Sequence, residues 1–183
     1  MRKLFGVALS LLAVSGAVLA AEQNQDRRKW WGVSFGVFLP NSGEIQDRFD
    51  DVFFRVGISP FEDRISDRWK FAYDLNVMYA NKNGNRLLVV PLTFGFTRSF
   101  GDPEARSVPF VQFGVGPAYF DYSIARGEDR IKSSRIGGTA NVEAGILFDK
   151  RFAITGRADF YTKTDDFDFS GISFTVAYAA FRW

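Results

Sequence analysis

Bulky apolar residues alternate with small or polar ones, one to each side, in run after run of this 183-residue chain. From Trp31 the odd positions are Val33, Phe35, Val37 and Leu39, and the even ones include Gly32, Ser34 and Gly36. A period of two is that of a β-strand, whose successive side chains point to opposite faces. The pattern returns at Val52, Phe54, Val56 and Ile58, then at Trp69, Phe71, Tyr73, Leu75, Val77 and Tyr79. It returns again at Leu88, Val90, Leu92, Phe94 and Phe96, and at Val111, Phe113, Val115, Pro117 and Tyr119. Three more runs follow: Ile136 to Phe148, Phe152 to Phe160, and Ile172 to Tyr178. Eight amphipathic strands account for nearly all of the apolar mass.

The connections are polar or rich in turn residues and alternate in length: Pro40–Asp51, Glu62–Ser66, Ala80–Asn85, Gly101–Ser107, Asp121–Arg135, Asp149–Lys150 and Thr162–Ser170. Strands joined in sequence by such hairpins form an up-and-down meander. An even strand number lets the first and last strands pair antiparallel, which leaves no open edge. Pro91, Pro109 and Pro117 lack the N–H a ladder needs, so bulges or strand ends are expected there.

Alternation alone does not say which face is inside, but volume does. An eight-stranded barrel encloses only enough space for its own side chains or one small ligand. The Trp, Phe, Tyr and Leu face would overfill it, whereas the Gly, Ser, Thr and charged face fits. The bulky face therefore belongs outside, against hydrocarbon, and Leu75 and Phe94 are expected near mid-membrane. Trp and Tyr gather at the water boundaries of such barrels. With the N-terminus on the inner side, Trp30, Trp31, Trp69 and Trp183 fall at one boundary, and Tyr79, Tyr119 and Tyr161 near the other. The fold class is all-β, an eight-stranded antiparallel up-and-down transmembrane barrel over residues 30–183.

Composition agrees with strands rather than spanning helices. Aromatics make up 17% of the chain, 21 of them Phe, yet the mean hydropathy is only −0.09. The N-terminus is a different kind of segment: Met1-Arg2-Lys3, an apolar run from Leu4 to Leu19, then Ala20-Ala21. That order is a cleaved export signal over 1–20, with 21–29 a short segment on the inner, periplasmic side. Without Arg2 and Lys3 the chain carries 21 basic and 21 acidic residues, so a nucleic-acid binder is not expected. No cysteine is present, which excludes disulfides and thiolate metal sites, and no cofactor is expected.

Register makes the inward face specific. Strands six and seven both carry apolar residues on even numbers, so opposed residues must sum to an even number. A three-residue loop Asp149-Lys150-Arg151 sets every sum at 300. Glu143 then faces Arg157 and Asn141 faces Asp159 inside, while Ile146 meets Ile154 and Val142 meets Ala158 outside. Asp74 is similarly expected to attract Arg55 from the neighbouring strand.

Three classes of function follow. Barrel lipases, acyltransferases, deacylases and proteases rely, as families, on a histidine for general acid or base work, and this chain has none. A Ser34–Lys70 arrangement is the remaining catalytic option, and two polar lumen residues are more simply structural. A narrow channel or carrier for small solutes or apolar ligands needs an open lumen, which Arg55, Lys70, Asp74, Glu143, Arg157 and Asp159 can cross-link. A structural or surface-interaction role for the external loops is favoured. These offer Glu44, Asp47, Asp50 and Asp51 in the first, Arg126, Arg130, Lys132 and Arg135 in the third, and Asp165, Asp166 and Asp168 in the fourth. Acidic runs can hold calcium and basic ones can grip lipid phosphates.

The strand count, the loop lengths and the ending Phe181-Arg182-Trp183 together resemble the small eight-stranded outer-membrane β-barrels. These are the broad family of the outer membrane protein A membrane domain and the outer membrane protein W group. The resemblance implies a bacterial outer-membrane location, outer-membrane lipid as the surrounding partner, and Phe181 and Trp183 as the aromatic signal read by the barrel insertion machinery. One feature departs from strict alternation: Phe181 and Trp183 are odd-numbered where strand eight points its apolar residues on even numbers. Either a bulge near Ala179-Ala180 shifts the phase or Trp183 packs differently.

Overall fold

A computed structural model of the chain is a closed barrel in which every strand pairs with its sequence neighbour and the last pairs with the first. The structure describes residues 30–182 apart from 61–63, 65, 103–104, 127–128 and 166. The expected export signal over 1–20, the segment 21–29 and Trp183 lie outside the described residues. The strands are β1 (Trp30–Pro40), β2 (Phe53–Pro60), β3 (Lys70–Lys82) and β4 (Asn85–Ser99), then β5 (Ser107–Arg126), β6 (Asp129–Phe148), β7 (Phe152–Tyr161) and β8 (Gly171–Arg182). All pairings are antiparallel.

The alternation sorts as volume requires. Phe35, Phe54, Phe71, Phe96, Phe113, Val142, Phe160 and Phe174 stand exposed on the outer wall as an apolar belt turned away from the lumen. The β6–β7 ladder runs from Phe148 opposite Phe152 to Thr139 opposite Tyr161, so every pair sums to 300 and Glu143 faces Arg157. At the β1–β8 seam the register jumps: Trp31 pairs Phe181, but Gly32 pairs Ala179. The extra residue, Ala180, is the phase shift that brings both Tyr178 and Phe181 to the outer wall.

The prolines change ladders without changing register. Pro91 lies where the β3–β4 ladder breaks between Leu75–Leu92 and Met78–Val89. Pro117 lies in the β4–β5 break between Pro91–Ala118 and Phe94–Val115. Pro109 pairs with Ile146 near the start of β5. The missing N–H thus removes local bonds and leaves the phase of each strand intact.

Three connections differ from the sequence reading. Residues 121–135 are not a loop: β5 and β6 stay paired through Asp121–Ser134 and on to Arg126–Asp129, as a hairpin extending past its neighbours. Pairing persists because Phe120, Tyr122 and Ile124 keep an apolar inner face buried. The turn between β3 and β4 shrinks to Asn83-Gly84, both in the left-handed region at φ 51° and 80°, as a two-residue hairpin turn demands. Within Pro40–Asp51 a short helix, α1 (Gly43–Phe49), buries Ile45 and Phe49 one turn apart. Its last carbonyls are capped from the barrel rim, by Lys82 Nζ on Gln46 O (3.1 Å) and Asn85 Nδ2 on Arg48 O (2.7 Å).

The lumen is also richer in apolar mass than the volume argument allowed. Toward the α1 end, Phe38, Phe53, Met78, Leu87, Phe120 and Phe169 join Ile45 and Phe49 in one buried cluster. At the terminal end a smaller cluster gathers Phe110, Leu147, Ala153, Ala177 and Ala179. The expectation overlooked that α1 itself covers the barrel mouth, so that large side chains at the strand ends are buried against Ile45 and Phe49. It also passed over the inner face of β4, where Leu87 and Val89 sit beside the outward Leu88 and Val90.

Candidate functional site

Between the two apolar layers lies a charged one. Arg55, Asp74, Glu143, Arg157 and Asp159 are all buried at the middle of the barrel. Arg157 Nε donates to Asp159 Oδ1 at 2.7 Å, and its Nη1 lies 3.3 Å from Asp74 Oδ2 and 3.6 Å from Glu143 Oε2. The Arg55 guanidinium reaches across to Asp159 at 2.5 Å, to Ser173 Oγ and to Asn76 Oδ1. Arg55 and Asp74 share this layer as expected of neighbouring strands, but the carboxylate in direct contact with Arg55 is Asp159, three strands from β2 around the seam side, and Asp74 is held by Arg157 and Gln112. In so narrow a lumen, reach across the barrel competes with reach to the next strand.

Sequence reasoning also missed Arg64. It lies in the β2–β3 connection yet is buried, with Nη2 3.1 Å from Glu143 Oε1 and its guanidinium 4.9 Å from the centre of the Phe110 ring. Three guanidinium groups thus meet three carboxylates, and the layer balances its own charge. The void left among Ser34, Ser59, Arg64, Asp74 and Glu143 is about 10 Å³, roughly the room needed for one water. No hydrogen bond joins Ser34 to Lys70, which stands exposed at the first residue of β3.

The boundary aromatics divide. Trp31 stacks on Phe181 at 6.3 Å and meets Tyr73 edge-on at 5.7 Å, and Trp69 meets Phe113 at 5.4 Å, all on the outer wall. Tyr79 is exposed and Tyr119 half-buried near the other rim. Two of the set turn inward instead. Trp30 packs on the terminal-end cluster, and Tyr161 is buried against Phe120 at 5.6 Å. Parity explains both, since the outward phase is odd in β1 but even in β7, and Trp30 and Tyr161 each fall on the wrong one.

Beyond the lumen, a cleft of about 560 Å³ lies at the α1 end. It opens between α1, the projecting β5–β6 hairpin and the β7–β8 connection. Asp165 braces it, accepting from Tyr122 Oη at 2.5 Å and Ser133 Oγ at 2.8 Å, with Arg135 Nε at 3.4 Å. Those hydrogen bonds, Tyr122 first, hold the Asp165 carboxyl below its ordinary range. Of the basic residues in the third connection, Arg135 turns into this cleft beside Ser133, and Lys132 lies at its rim on the outward face of β6. The acidic residues are engaged individually: Glu44 with Arg48 at 2.9 Å, and Asp168 with the Ser170 N–H at 2.9 Å.

No family profile matches the sequence, and no curated protein matches it as a relative. Solved structures do match. The outer membrane enzyme PagL superposes with a TM-score of 0.61 at 18% identity, covering 81% of this chain and 99% of its own. Neisserial surface protein A gives 0.56 at 12% identity, covering 83% and 97%. This chain has the fold of the small outer-membrane β-barrels. A third such barrel, Ail, the attachment invasion locus protein of Yersinia pestis, was solved with the heparin analogue sucrose octasulfate. It matches with a TM-score of 0.50 at 12% identity, covering 83% of this chain and 98% of its own. The outer-membrane barrel fold accounts for the apolar belt, the closed seam and the sealed polar layer together. It hosts both an enzyme and surface proteins, so activity has to be argued from residues.

Proposed function

We propose that this protein is a non-enzymatic outer-membrane barrel, exported by a cleaved signal peptide, whose work is surface interaction carried by the α1 end facing outward. One observation carries the reading: the lumen is filled by apolar and salt-bridged layers, and the sizeable cavity is at the loop end instead. The sequence has no histidine to serve as a general base, and Ser34 and Lys70 are not joined. PagL is an enzyme of the same fold, so this argument rests on residues rather than on architecture. Surface proteins among the solved barrels support the same direction, Ail by its bound heparin analogue.

The competing reading, a narrow channel or carrier, is opposed by the void of about 10 Å³ in the charged layer. In planar bilayers the protein is expected to pass no steady solute-sized current, and on intact cells a cysteine placed at Ala125 should react with an impermeant maleimide. Steady conductance, or a hairpin protected in cells but reactive after lysis, would overturn the reading.

A further inference from the structure

The walls of the loop-end cleft are of two kinds. Tyr122, Ile124, Ile131 and Phe167 supply an apolar side, with Tyr122 and Phe167 edge-to-face at 5.6 Å. Arg48 and Arg135 supply a cationic side, and Lys132, on the outward face of β6, stands at the rim. Much of this charge is unspent. Arg135 uses only Nε, toward Asp165, which leaves both Nη groups available. Arg48 holds Glu44 with Nη2 while its guanidinium carbon lies 5.3 Å from the Phe167 ring centre. Asp165, the acidic group in the lining, is already committed to Tyr122, Ser133 and Arg135.

We propose that this cleft binds an organic anion with a compact apolar body, a phosphate, sulfate or carboxylate head set between Arg48 and Arg135 and a ring or short chain laid against Tyr122, Ile131 and Phe167. The proposal rests on the loop-end reading above and adds the class of ligand. A cavity of about 560 Å³ lies in the range of roughly 300–1,000 Å³ that takes small organic molecules. An inorganic anion would meet the cations but leave the apolar wall wet, and a neutral ring would leave the cations unpaired. Only a ligand with both parts satisfies both walls. Its head group could belong to a free small molecule or to an anionic lipid reaching up from the bilayer rim.

The test uses the intact protein in phosphatidylcholine nanodiscs with 2-naphthyl phosphate as the probe, read by its fluorescence anisotropy. Naphthyl phosphate is expected to bind about tenfold or more tighter than inorganic phosphate or 2-naphthol, the gain of a charge-assisted contact added to an apolar one. Arg135→Gln should weaken naphthyl phosphate and leave 2-naphthol unchanged, while Ile131→Asp should weaken both. These positions are exposed, and unchanged heat-dependent gel mobility certifies that each variant has folded. Nanodiscs containing phosphatidylglycerol separate the sources: selective competition in the wild type assigns the site to a lipid head, and no competition assigns it to a soluble anion. Equal affinity of the wild type and Arg135→Gln, or no binding of naphthyl phosphate, would overturn the proposal. If sucrose octasulfate binds where naphthyl phosphate does not, the amphiphile falls and the loop-end reading stands.

Discussion

At the scale of single residues, Arg157 is the side chain on which the lumen depends most. Its guanidinium is shared by Asp159, Asp74 and Glu143, and removing it leaves three buried carboxylates with only Arg55 and Arg64 between them. Arg157→Ala should therefore lose about 3–5 kcal/mol of unfolding free energy in lipid, as breaking one side of a buried pair does. In double-mutant cycles the Arg157–Asp159 coupling should exceed the Arg157–Glu143 coupling, because Glu143 at 3.6 Å also has Arg64 at 3.1 Å. Simple additivity of Arg157→Ala and Asp159→Ala would mean that the two do not interact. Asp165 sets a pH dependence at the other end. Its carboxyl lies below the ordinary value of 3.8, chiefly through the Tyr122 hydrogen bond. The brace therefore stabilises the docked loop above that ordinary value and is lost as pH falls through the depressed one. The protection of the Thr164 and Phe167 amides, taken relative to the intrinsic exchange rate at each pH, should fall on acidification in the wild type, and Asp165→Asn should remove that response.

At the scale of elements, the tightest local constraint is the β3–β4 turn. Gly84 at φ 80° follows Asn83 at φ 51°, and a side chain other than Asn or Asp is strained in that region. Gly84→Val should cost about 1–2 kcal/mol in urea unfolding, whereas Gly43→Ala, with no atom within 4 Å of the added carbon, should be neutral or better. The Asn-Gly pair was visible in the chain, though the turn around it was drawn too wide. Helix α1 was legible in principle, since Ile45 and Phe49 lie four apart behind Ser42. Seven residues give too little periodicity to stand out from a polar loop. What makes the helix persist is tertiary: a buried face over the barrel mouth and two carbonyl caps from β3 and β4.

At the scale of the whole molecule, the outer belt makes the barrel dependent on lipid. Leu75 and Phe94 lie on that belt, beside Leu92 and Tyr73 respectively across the β3–β4 ladder. Leu75→Arg or Phe94→Arg should cost about 2–4 kcal/mol at mid-membrane depth and progressively less toward the rims. Unfolding in bilayers of a single thickness would measure it. Full tolerance at both positions would mean that hydrocarbon does not contact this face.

Strand number, strand order, the outward face and the β6–β7 register could all be read from the chain. Each follows from a period of two and from a lumen too narrow for the bulky face. Glu143 opposite Arg157 was legible for the same reason, because it is a relation between neighbouring strands. The partners of Arg55, the entry of Arg64 and the cleft beside Lys132 and Arg135 were not. They arise where side chains span the barrel or where separate connections converge, and local periodicity carries no record of distance across a closed sheet. Closure itself made that difference: it brought β2 within reach of β7 and stacked α1, the β5–β6 hairpin and the β7–β8 connection around one opening.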